Sequence, residues 1–440
     1  MKDIIDKNRI SLLKYDIRSL VSVAEKLRGL GVDIWAWENI GDPIKQGHKV
    51  PEWIKEKLSE AAQIDSSWAY SPTEGVLAAR LFLAERAVKS GIELDENNIV
   101  FTSGLGHAIN TVYQVMLSGG LRVIHPAPTY PAHSSTESFF VGEPPIFYRS
   151  LPENGWLPDL VDLEDKIKNH PEIGFILVIA PNNPTGVCYP EEVLRGISAL
   201  ARKYNLGIIS DETYANLVYD GYEQKSMATI IKSEEPVPLL IMKSLSKDIP
   251  WPGGRCGWLE FYNQGNDAAF IAFEEAVKQS LRVQVCATTL PQIVLPKIYG
   301  DARYESYSRE FASKLAEQSR YIVDSLNNIP GLSCVPAQAA FYLSAVFDDN
   351  VLRPGQKLKI KNDAAREYIE SLVKDPEMPE DKKFALYLMA AKGIFVVPLS
   401  GFSGPAGFRV TTLKTDLSET EKVYKELAAA LREYLVIRKL

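Results

Sequence analysis

The sequence predicts an α/β protein in which a large domain, built on a mostly parallel central sheet flanked by helices, is joined to a smaller α+β domain. Over the central part of the chain, short apolar runs alternate with amphipathic stretches, which is typical of alternating strands and helices. After about residue 300 the pattern changes to long helices with a few strands. The chain has 440 residues, of which 46% are hydrophobic. It therefore exceeds the roughly 150 residues of one typical domain and can bury a large core.

The predicted strands of the large domain are short and rich in Ile, Val, Leu and Phe. Such continuous apolar runs indicate strands that are buried on both faces of a sheet. In chain order they cover residues 98–102, 121–125, 175–180, 206–210, 239–242 and 257–261. Between two of these strands, residues 191–204 predict an amphipathic helix. Pro190 suits the start of this helix, because the first turn of a helix needs no N–H donor.

The C-terminal part predicts a final helix and a few strands. The strands are expected at residues 340–347, 394–397 and 408–412. Ser418, with Glu421 three residues later, predicts a capping box at the start of the final helix.

Residues 348–381 are polar and Lys-rich, and they predict a surface insertion with one helix at about residues 363–373. Its contribution to any functional site is open. We predict that the large domain covers residues 55–300. The small domain is expected to combine residues 1–54 with residues 301–440.

Composition argues against several classes of protein. There are 49 basic and 56 acidic side chains, giving a net charge of −7 without any long basic run, which argues against nucleic-acid binding. The four cysteines are far apart and the five histidines lack helical metal-ligand spacing, so no metal or disulfide framework is expected. The charged start and the absence of long apolar runs argue against a signal peptide or a membrane span. We therefore expect a cytoplasmic enzyme.

Lys247 is the first candidate catalytic residue. It follows a predicted buried strand within the segment Ser244-Leu245-Ser246-Lys247, flanked by hydroxyls and small residues. A lysine in such a place can lose its proton and attack a carbonyl to form a Schiff base. The ordinary alternative is a solvated surface lysine in a turn.

Two further polar segments follow predicted strands. Asp211 and Tyr214 come directly after one strand, and Asn183 lies in a Pro/Asn/Gly cluster after another. Ligands of α/β sheets bind at the carboxyl ends of strands, where a carboxylate can pair with a cationic nitrogen and an amide can bind a hydroxyl. A helix cap and a simple turn are the structural alternatives for these two segments.

Anion-binding groups complete the set of candidates. Gly104, Leu105 and Gly106 open a predicted helix, whose free N–H groups and dipole favour a phosphate. Arg255 follows Lys247 by eight residues, and Arg409 lies in a predicted strand. A guanidinium fork binds a phosphate or a carboxylate with two hydrogen bonds.

Together these segments are more specific than any one of them. In order they are Gly41-Asp42-Pro43, Tyr70 with Gly75, Gly104, Pro128-Thr129-Tyr130, Asn183-Pro184-Thr185-Gly186, Asp211 with Tyr214, Ser244-x-Ser246-Lys247, Arg255 and Arg409. This order and spacing resemble the class I/II aminotransferases, which are fold-type I enzymes that use pyridoxal 5′-phosphate (PLP). The resemblance extends from about Asp33 to the C-terminal helix.

The resemblance implies a role for each position. Lys247 would hold PLP as an internal aldimine and move a proton between the substrate and the cofactor, while Asp211 would pair with the pyridinium nitrogen. The other cofactor contacts would come from Asn183 and Tyr214 at the 3′ oxygen, Tyr130 on the ring face, and Gly104, Leu105, Gly106, Ser244, Ser246 and Arg255 at the phosphate. Tyr70 would reach the phosphate of the neighbouring subunit, which implies a homodimer with shared active sites. Arg409, assisted by Gly41 and Asn183, would bind the substrate α-carboxylate.

The implied reaction moves an amino group between an L-amino acid and a 2-oxo acid in two half-reactions. The segment Pro398-Leu399-Ser400-Gly401-Phe402, together with Arg282 and residues 285–288, resembles alanine-type members more than aspartate-type members. Arg282 is equally a candidate for the arginine that aspartate-type members direct at a substrate side-chain carboxylate. The sequence therefore leaves the preferred amino acid open. It also leaves open a C–S lyase or another elimination enzyme of the same fold.

Overall fold

The computed structural model describes residues 4–13, 16–232, 236–263 and 265–436, so Met1 to Asp3, part of the charged start, lie outside it. The strands are β1 (Ala36–Trp37), β2 (Ile99–Thr102), β3 (Arg122–Ala127), β4 (Ile146–Arg149), β5 (Ile173–Ile179), β6 (Gly207–Asp211), β7 (Leu239–Ser244), β8 (Gly257–Tyr262), β9 (Leu332–Cys334), β10 (Tyr342–Phe347), β11 (Ile394–Phe395), β12 (Val397–Pro398) and β13 (Gly407–Thr411).

Helices precede, separate and follow these strands along the chain. They are α1 (Lys7–Leu12), α2 (Asp16–Gly29), α3 (Glu52–Ala62), α4 (Leu77–Lys89), α5 (Leu105–Leu117), α6 (Pro131–Val141), α7 (Leu160–Asn169), α8 (Glu191–Lys203), α9 (Met227–Lys232), α10 (Ala268–Arg282), α11 (Thr289–Tyr299), α12 (Arg303–Asn327), α13 (Asp363–Leu372), α14 (Glu380–Lys392) and α15 (Leu417–Tyr434). None of the helices in the described ranges is long and apolar enough to cross a membrane.

A seven-stranded sheet lies at the centre, with the strand order β2-β8-β7-β6-β5-β3-β4. Only β8 runs against its neighbours, and the remaining strands share one direction. The predicted α/β class with a mostly parallel sheet is therefore confirmed. Because the strands share a direction, the residues that follow β2, β5, β6 and β7 meet at one edge of the sheet.

Strand β5 shows why the sequence pattern was a continuous apolar run. Ile176 and Val178 belong to the core on one face of the sheet, whereas Leu177 and Ile179 belong to the core on the other face. Because successive side chains of a strand point to opposite faces, a strand between two cores needs apolar residues at every position. The helices that flank the sheet supply the other half of each core.

A second core lies around a four-stranded antiparallel sheet with the order β12-β13-β10-β9. Helix α2 contributes Leu20 and Leu27 to this core, so the N-terminal segment packs with the C-terminal part. Helix α12 joins the two cores, because Tyr304 packs in the first and Phe311 in the second. The division of the chain at 54/55 and 300/301 stays a prediction.

The capping box predicted at the last helix is wrong. Helix α15 begins at Leu417, and the Asp416 side chain accepts a hydrogen bond of 2.8 Å from the backbone N–H of Ser418. Asp416 is thus the cap, and Ser418 lies inside the first turn. Aspartate is at least as good a cap as serine, and its position one residue before the helix lets it bind the free donors.

The single strand predicted at residues 394–397 is also wrong. The structure has two short strands there, because β11 pairs with β1 while β12 pairs with β13 in the four-stranded sheet. The chain changes sheets at Val396, which is buried. A run of apolar residues does not show which partner each residue will pair with.

The predicted surface insertion carries its helix, α13, but is not wholly a surface feature. Leu358, Ile360 and Ile369 are buried in the second core. Asp381, predicted as the end of the insertion, is 1% exposed and accepts backbone N–H groups of Ser400 and Gly407 at 2.9 and 3.3 Å. The segment is polar on average, so its composition did not indicate these apolar positions.

Candidate active site

A cavity of about 1290 Å³ opens at the edge of the central sheet where the parallel strands end, next to the second core. The structure brings most of the predicted site residues to its wall. They are Gly41, Leu105, Gly106, Tyr130, Asn183, Asp211, Tyr214, Ser244, Ser246, Lys247, Arg255 and Arg409. Gly104 lies directly beneath, at the start of α5.

Lys247 projects into this cavity from the turn that follows β7. It is half-buried, and its Nζ donates a hydrogen bond of 2.8 Å to the carbonyl oxygen of Gly41. A Cβ atom at Gly41 would lie 2.0 Å from the hydroxyl of Tyr342, so only glycine lets this loop approach so closely. The amine is thus held in place by a neutral acceptor contributed by a distant segment.

Asp211 is the last residue of β6 and is 4% exposed. Its Oδ1 accepts the backbone N–H of Thr213 at 3.1 Å, and its Oδ2 lies 3.2 Å from Nε2 of the buried His133. The other ring nitrogen of His133 lies 3.2 Å from the hydroxyl of Tyr113. Burial, together with the charges of Glu137 and Asp211, raises the pKa of Tyr113 well above its usual value, so the phenol stays protonated.

His133 was not predicted from the sequence. It lies three residues after Tyr130, and α6 begins at Pro131, so the two side chains lie on the same side of the helix start. Their rings are 6.3 Å apart in an edge-to-face arrangement. That spacing is the signal that could have identified it.

Tyr214 lines the cavity and is buried, with its hydroxyl directed at another phenol. The Tyr214 hydroxyl donates a hydrogen bond of 3.3 Å to that of Tyr342. Burial, followed by the neighbouring Tyr342, raises the pKa of Tyr214 well above its usual value. The phenol is therefore a neutral hydrogen-bond donor at physiological pH.

The N-terminus of α5 and Arg255 form a cradle suited to an anion. Gly104 has a φ of +80°, and a Cβ atom there would lie 2.3 Å from Nη2 of Arg255. Arg255 has a φ of +48° and donates to the backbone oxygens of Pro252 and Ser103 at 3.1 and 3.4 Å. The first N–H groups of a helix have no acceptor within the helix, so those of Leu105 and Gly106 suit a phosphate.

Arg409 is a buried guanidinium, 2% exposed, in the central part of β13. Its Nη1 donates to the Asn183 side chain at 3.3 Å, and its Nη2 donates to the Asn39 carbonyl at 2.8 Å. It lies between the rings of Tyr342 and Phe402, with centroid distances of 4.2 and 4.9 Å. Its Nε has no hydrogen-bond partner within the described ranges. A buried cation with a spare donor is suited to a carboxylate.

The contacts of Tyr342 and Phe402 with Arg409 were not predicted, because aromatic residues in a predicted strand or an apolar loop are typical of an ordinary core. The structure shows both against the guanidinium of Arg409. Cation–π contacts of this kind restrain a long side chain that would otherwise be mobile.

Tyr70 and Arg282 are not among the lining residues of this cavity. Tyr70 is 85% exposed, and Arg282 donates to Glu275 at 2.8 Å on the protein surface. The segment Ser71, Pro72 and Glu74 predicts a helix cap that would fix Tyr70 just before a helix start, and this prediction is wrong. Helix α4 begins later, at Leu77, with no side-chain cap.

Residues 39–427 match the sequence profile of a family described as aminotransferase class I and II. The chain belongs to this family. The matched segment contains every predicted site residue from Gly41 to Arg409.

Individual relatives of this aminotransferase agree with the family match. An uncharacterized aminotransferase of Methanocaldococcus jannaschii is 43% identical over 425 residues, which cover 96% of this chain and 97% of the relative. The glutamate-pyruvate aminotransferase of Escherichia coli is 28% identical over 353 residues, covering 79% of this chain and 84% of the relative. The structure of an alanine aminotransferase from Pyrococcus furiosus is similar with a TM-score of 0.84 at 28% identity, covering 98% and 100% of the two chains.

A class I/II aminotransferase uses PLP to transfer an amino group between an amino acid and a 2-oxo acid. The observed residues fit this cofactor. The anion cradle at Gly104 suits its phosphate, the buried Asp211 suits its pyridinium nitrogen, and Lys247 suits its aldehyde. Within the described residues, no group of three or more His, Cys, Asp or Glu side chains is placed to hold a metal ion.

Proposed function

We propose that this aminotransferase exchanges the amino group between L-alanine and pyruvate on one side and L-glutamate and 2-oxoglutarate on the other. The relatives named glutamate-pyruvate and alanine aminotransferase, each 28% identical to this chain, support this choice of substrates. We further propose that the enzyme acts as a homodimer in the cytoplasm.

The observation that carries the proposal is the geometry of Arg409 relative to Lys247. Both line one cavity, and Arg409 has a spare Nε donor although it is almost completely buried. All the proposed substrates carry an α-carboxylate beside the reacting carbon. Binding that carboxylate at Arg409 and Asn183 would place the reacting carbon on the side of the cavity where Lys247 lies.

The chain's own residues supply the remaining steps. Bound PLP supplies an electron sink that stabilises negative charge at the substrate Cα. Lys247 would bind the cofactor through its aldehyde and would accept and return the proton of the substrate Cα. Asp211 would hold the pyridine nitrogen and favour its protonated form, because an adjacent carboxylate favours the charged form of a cationic group.

The other predicted residues position the cofactor. Asn183 and Tyr214 would donate hydrogen bonds to its 3′ oxygen, and Tyr130 would pack on its ring face. The phosphate would be held by a larger set, comprising the start of α5 at Gly104, Leu105 and Gly106, the hydroxyls of Ser244 and Ser246, and Arg255. Ser244 and Ser246 are both buried on the cavity wall, which supports this assignment.

The homodimer is supported by an apolar surface near Tyr70. Trp68 is 75% exposed, Tyr70 85% and Val283 86%. The segments that carry them are joined by a hydrogen bond of 2.8 Å from the Thr73 hydroxyl to the Val285 carbonyl oxygen. A second copy of the chain would cover these side chains, and it would receive Tyr70 at its own phosphate cradle.

The test is a panel of half-reactions with the PLP-loaded enzyme. Each amino acid is added alone, and the loss of cofactor absorbance is followed together with the 2-oxo acid formed. We expect L-alanine and L-glutamate to react with kcat/KM values at least about tenfold above those of L-aspartate and the aromatic amino acids. A preference for aspartate would contradict the proposed substrates. Release of ammonia with pyruvate from a thioether amino acid would indicate an elimination enzyme instead.

A further inference from the structure

The residue after Lys247 is a buried carboxylate with an unusually complete set of donors. Asp248 is 1% exposed. Its Oδ2 accepts hydrogen bonds from the Tyr299 hydroxyl, the Tyr304 hydroxyl and Asn216 Nδ2, at 2.8, 2.8 and 2.7 Å. Its Oδ1 accepts the backbone N–H of Ile249 at 2.9 Å. Burial of a carboxylate is costly unless such donors replace water, so this set fixes the side chain in one position.

The two tyrosines are themselves held by a cation. The guanidinium of Arg86 lies over the Tyr299 ring at 4.5 Å and over the Tyr304 ring at 5.8 Å. Burial, and then the charge of Asp248, raises the pKa of both phenols, so both stay protonated and act as donors. The positive charge therefore contacts the ring faces while the hydroxyls contact the carboxylate.

The tyrosines lie where the chain passes from one core to the other. Tyr299 is the last residue of α11, and Tyr304 is in the first turn of α12, which continues into the second core. Their ring centroids are 4.9 Å apart. Asp248 thus connects the turn that carries Lys247 to the α11–α12 junction. The Lys247 side chain lines the cavity, whereas Asp248 is not among the lining residues.

We propose that Asp248 is a positioning residue that holds the Lys247 turn in place by binding it to the α11–α12 junction. The backbone of Lys247 lies between the β7 strand end and this anchor, and its Nζ is directed at the Gly41 carbonyl. Loss of the anchor would let the turn move and displace the amine. The kinetic part of this inference rests on the proposed transamination.

The test removes single hydroxyls from the anchor, because these changes are milder than replacing the carboxylate itself. Tyr299→Phe and Tyr304→Phe each delete one donor to Asp248, and Asp248→Asn keeps the shape but removes the charge. We expect each Phe variant to lower kcat about three- to tenfold with KM within about twofold, and Asp248→Asn to lower kcat by about ten- to a hundredfold. The pH midpoint at which the absorbance of the bound cofactor changes should shift in all three variants.

Tyr307→Phe is the matched control. Tyr307 lies one turn further along α12 and is half-buried, with its ring stacked on Phe311, but no hydrogen bond joins it to Asp248. Removal of the Tyr307 hydroxyl should leave kcat and the pH midpoint of the cofactor absorbance unchanged.

The inference is overturned if the anchor variants lower the melting temperature but leave both kcat and the absorbance midpoint at wild-type values. In that case Asp248 only stabilises the fold. The absorbance titration needs no substrate, so it tests the anchor even if alanine and glutamate prove to be the wrong substrates. Failure of the proposed function would appear instead in the half-reactions of the wild-type enzyme.

Discussion

Lys247 and Arg409 line the same cavity but differ in how they are held. Arg409 is restrained by two aromatic rings, one amide and one carbonyl, whereas the Lys247 amine has one hydrogen bond, to Gly41, and lies over one ring, that of Phe341, at 5.6 Å. A side chain that only binds the substrate, such as Arg409, binds better when its geometry is fixed in advance. A group that must form a bond and later move a proton needs freedom to change position.

Replacement of Lys247 tests its role as the nucleophile. Lys247→Ala should lower amino-group exchange by about 10⁴-fold or more, because the covalent route and the proton transfer are lost together. Borohydride should attach the cofactor to Lys247 in the wild-type enzyme, as read by mass spectrometry of the peptides. Lys247→Arg keeps a positive charge near Gly41. If Lys247→Arg and Lys247→Ala lose the same amount of activity, the loss results from the missing nucleophile and not from the missing charge. Wild-type activity in either variant would rule out this role.

Replacement of Arg409 tests the carboxylate site. Arg409→Lys keeps the charge but removes the fork and the planar stacking between Tyr342 and Phe402. We expect KM for the amino acid to rise about ten- to a hundredfold, measured by steady-state kinetics. Arg149→Lys is the control, because Arg149 pairs with Asp159 on the surface and is 59% exposed. Unchanged kcat/KM in Arg409→Lys would place the carboxylate elsewhere.

At the scale of elements, helix α6 connects the active site to strand β3. Tyr130 precedes the helix, His133 lies in its first turn, and Glu137 follows one turn later. Glu137 accepts a hydrogen bond of 2.8 Å from Arg122 of β3 and lies 3.4 Å from His125 of the same strand. This buried cluster fixes the register of α6 and hence the position of His133 against Asp211.

The burial of His125 predicts a loss of stability in acid. Burial lowers the pKa of His125 despite the opposing charge of Glu137, so the folded chain binds this proton less readily than the unfolded chain. The stability it contributes is complete above the ordinary histidine pKa of about 6.5 and is lost as the pH falls toward the folded value. Urea unfolding at about pH 7.5 and 5.5 should therefore show a smaller free energy of unfolding at the lower pH. His125→Gln should flatten this difference, and an equal difference in the variant would contradict the assignment.

The elements also show what the sequence could predict. Strands β5, β6 and β7 were predictable because a strand buried on both faces needs an apolar residue at every position. The polar residues at their ends were predictable because ligands bind at that edge of the sheet. The division of residues 394–397 between two sheets was not predictable, because pairing depends on distant strands. His133 had a local signal, its spacing from Tyr130. The contacts of Tyr342 and Phe402 with Arg409 cross the fold, and no local pattern reports them.

At the scale of the whole molecule, the exposed position of Tyr70 predicts that two copies of the chain share their active sites. If Tyr70 completes the site of a second copy, Tyr70→Ala and Lys247→Ala chains should complement each other after unfolding and refolding together. Random pairing would produce intact sites at about one quarter of the wild-type number, and activity should recover to a similar fraction. Each variant refolded alone is the control. Light scattering should give the mass of two chains. Absence of recovery in a mixture that forms mixed dimers would contradict the sharing of sites.

The cavity joins Gly41 near one end of the sequence to Arg409 near the other, with Asp211 and Lys247 between them. During synthesis, the reactive lysine therefore leaves the ribosome before the strand that carries the carboxylate-binding arginine. At roughly 5–20 residues per second, the interval is on the order of ten seconds or more. A nascent chain that captured the cofactor early would still be unable to recognise an amino acid until β13 joined its sheet. Substrate recognition therefore depends on completing the second core, which contains β13.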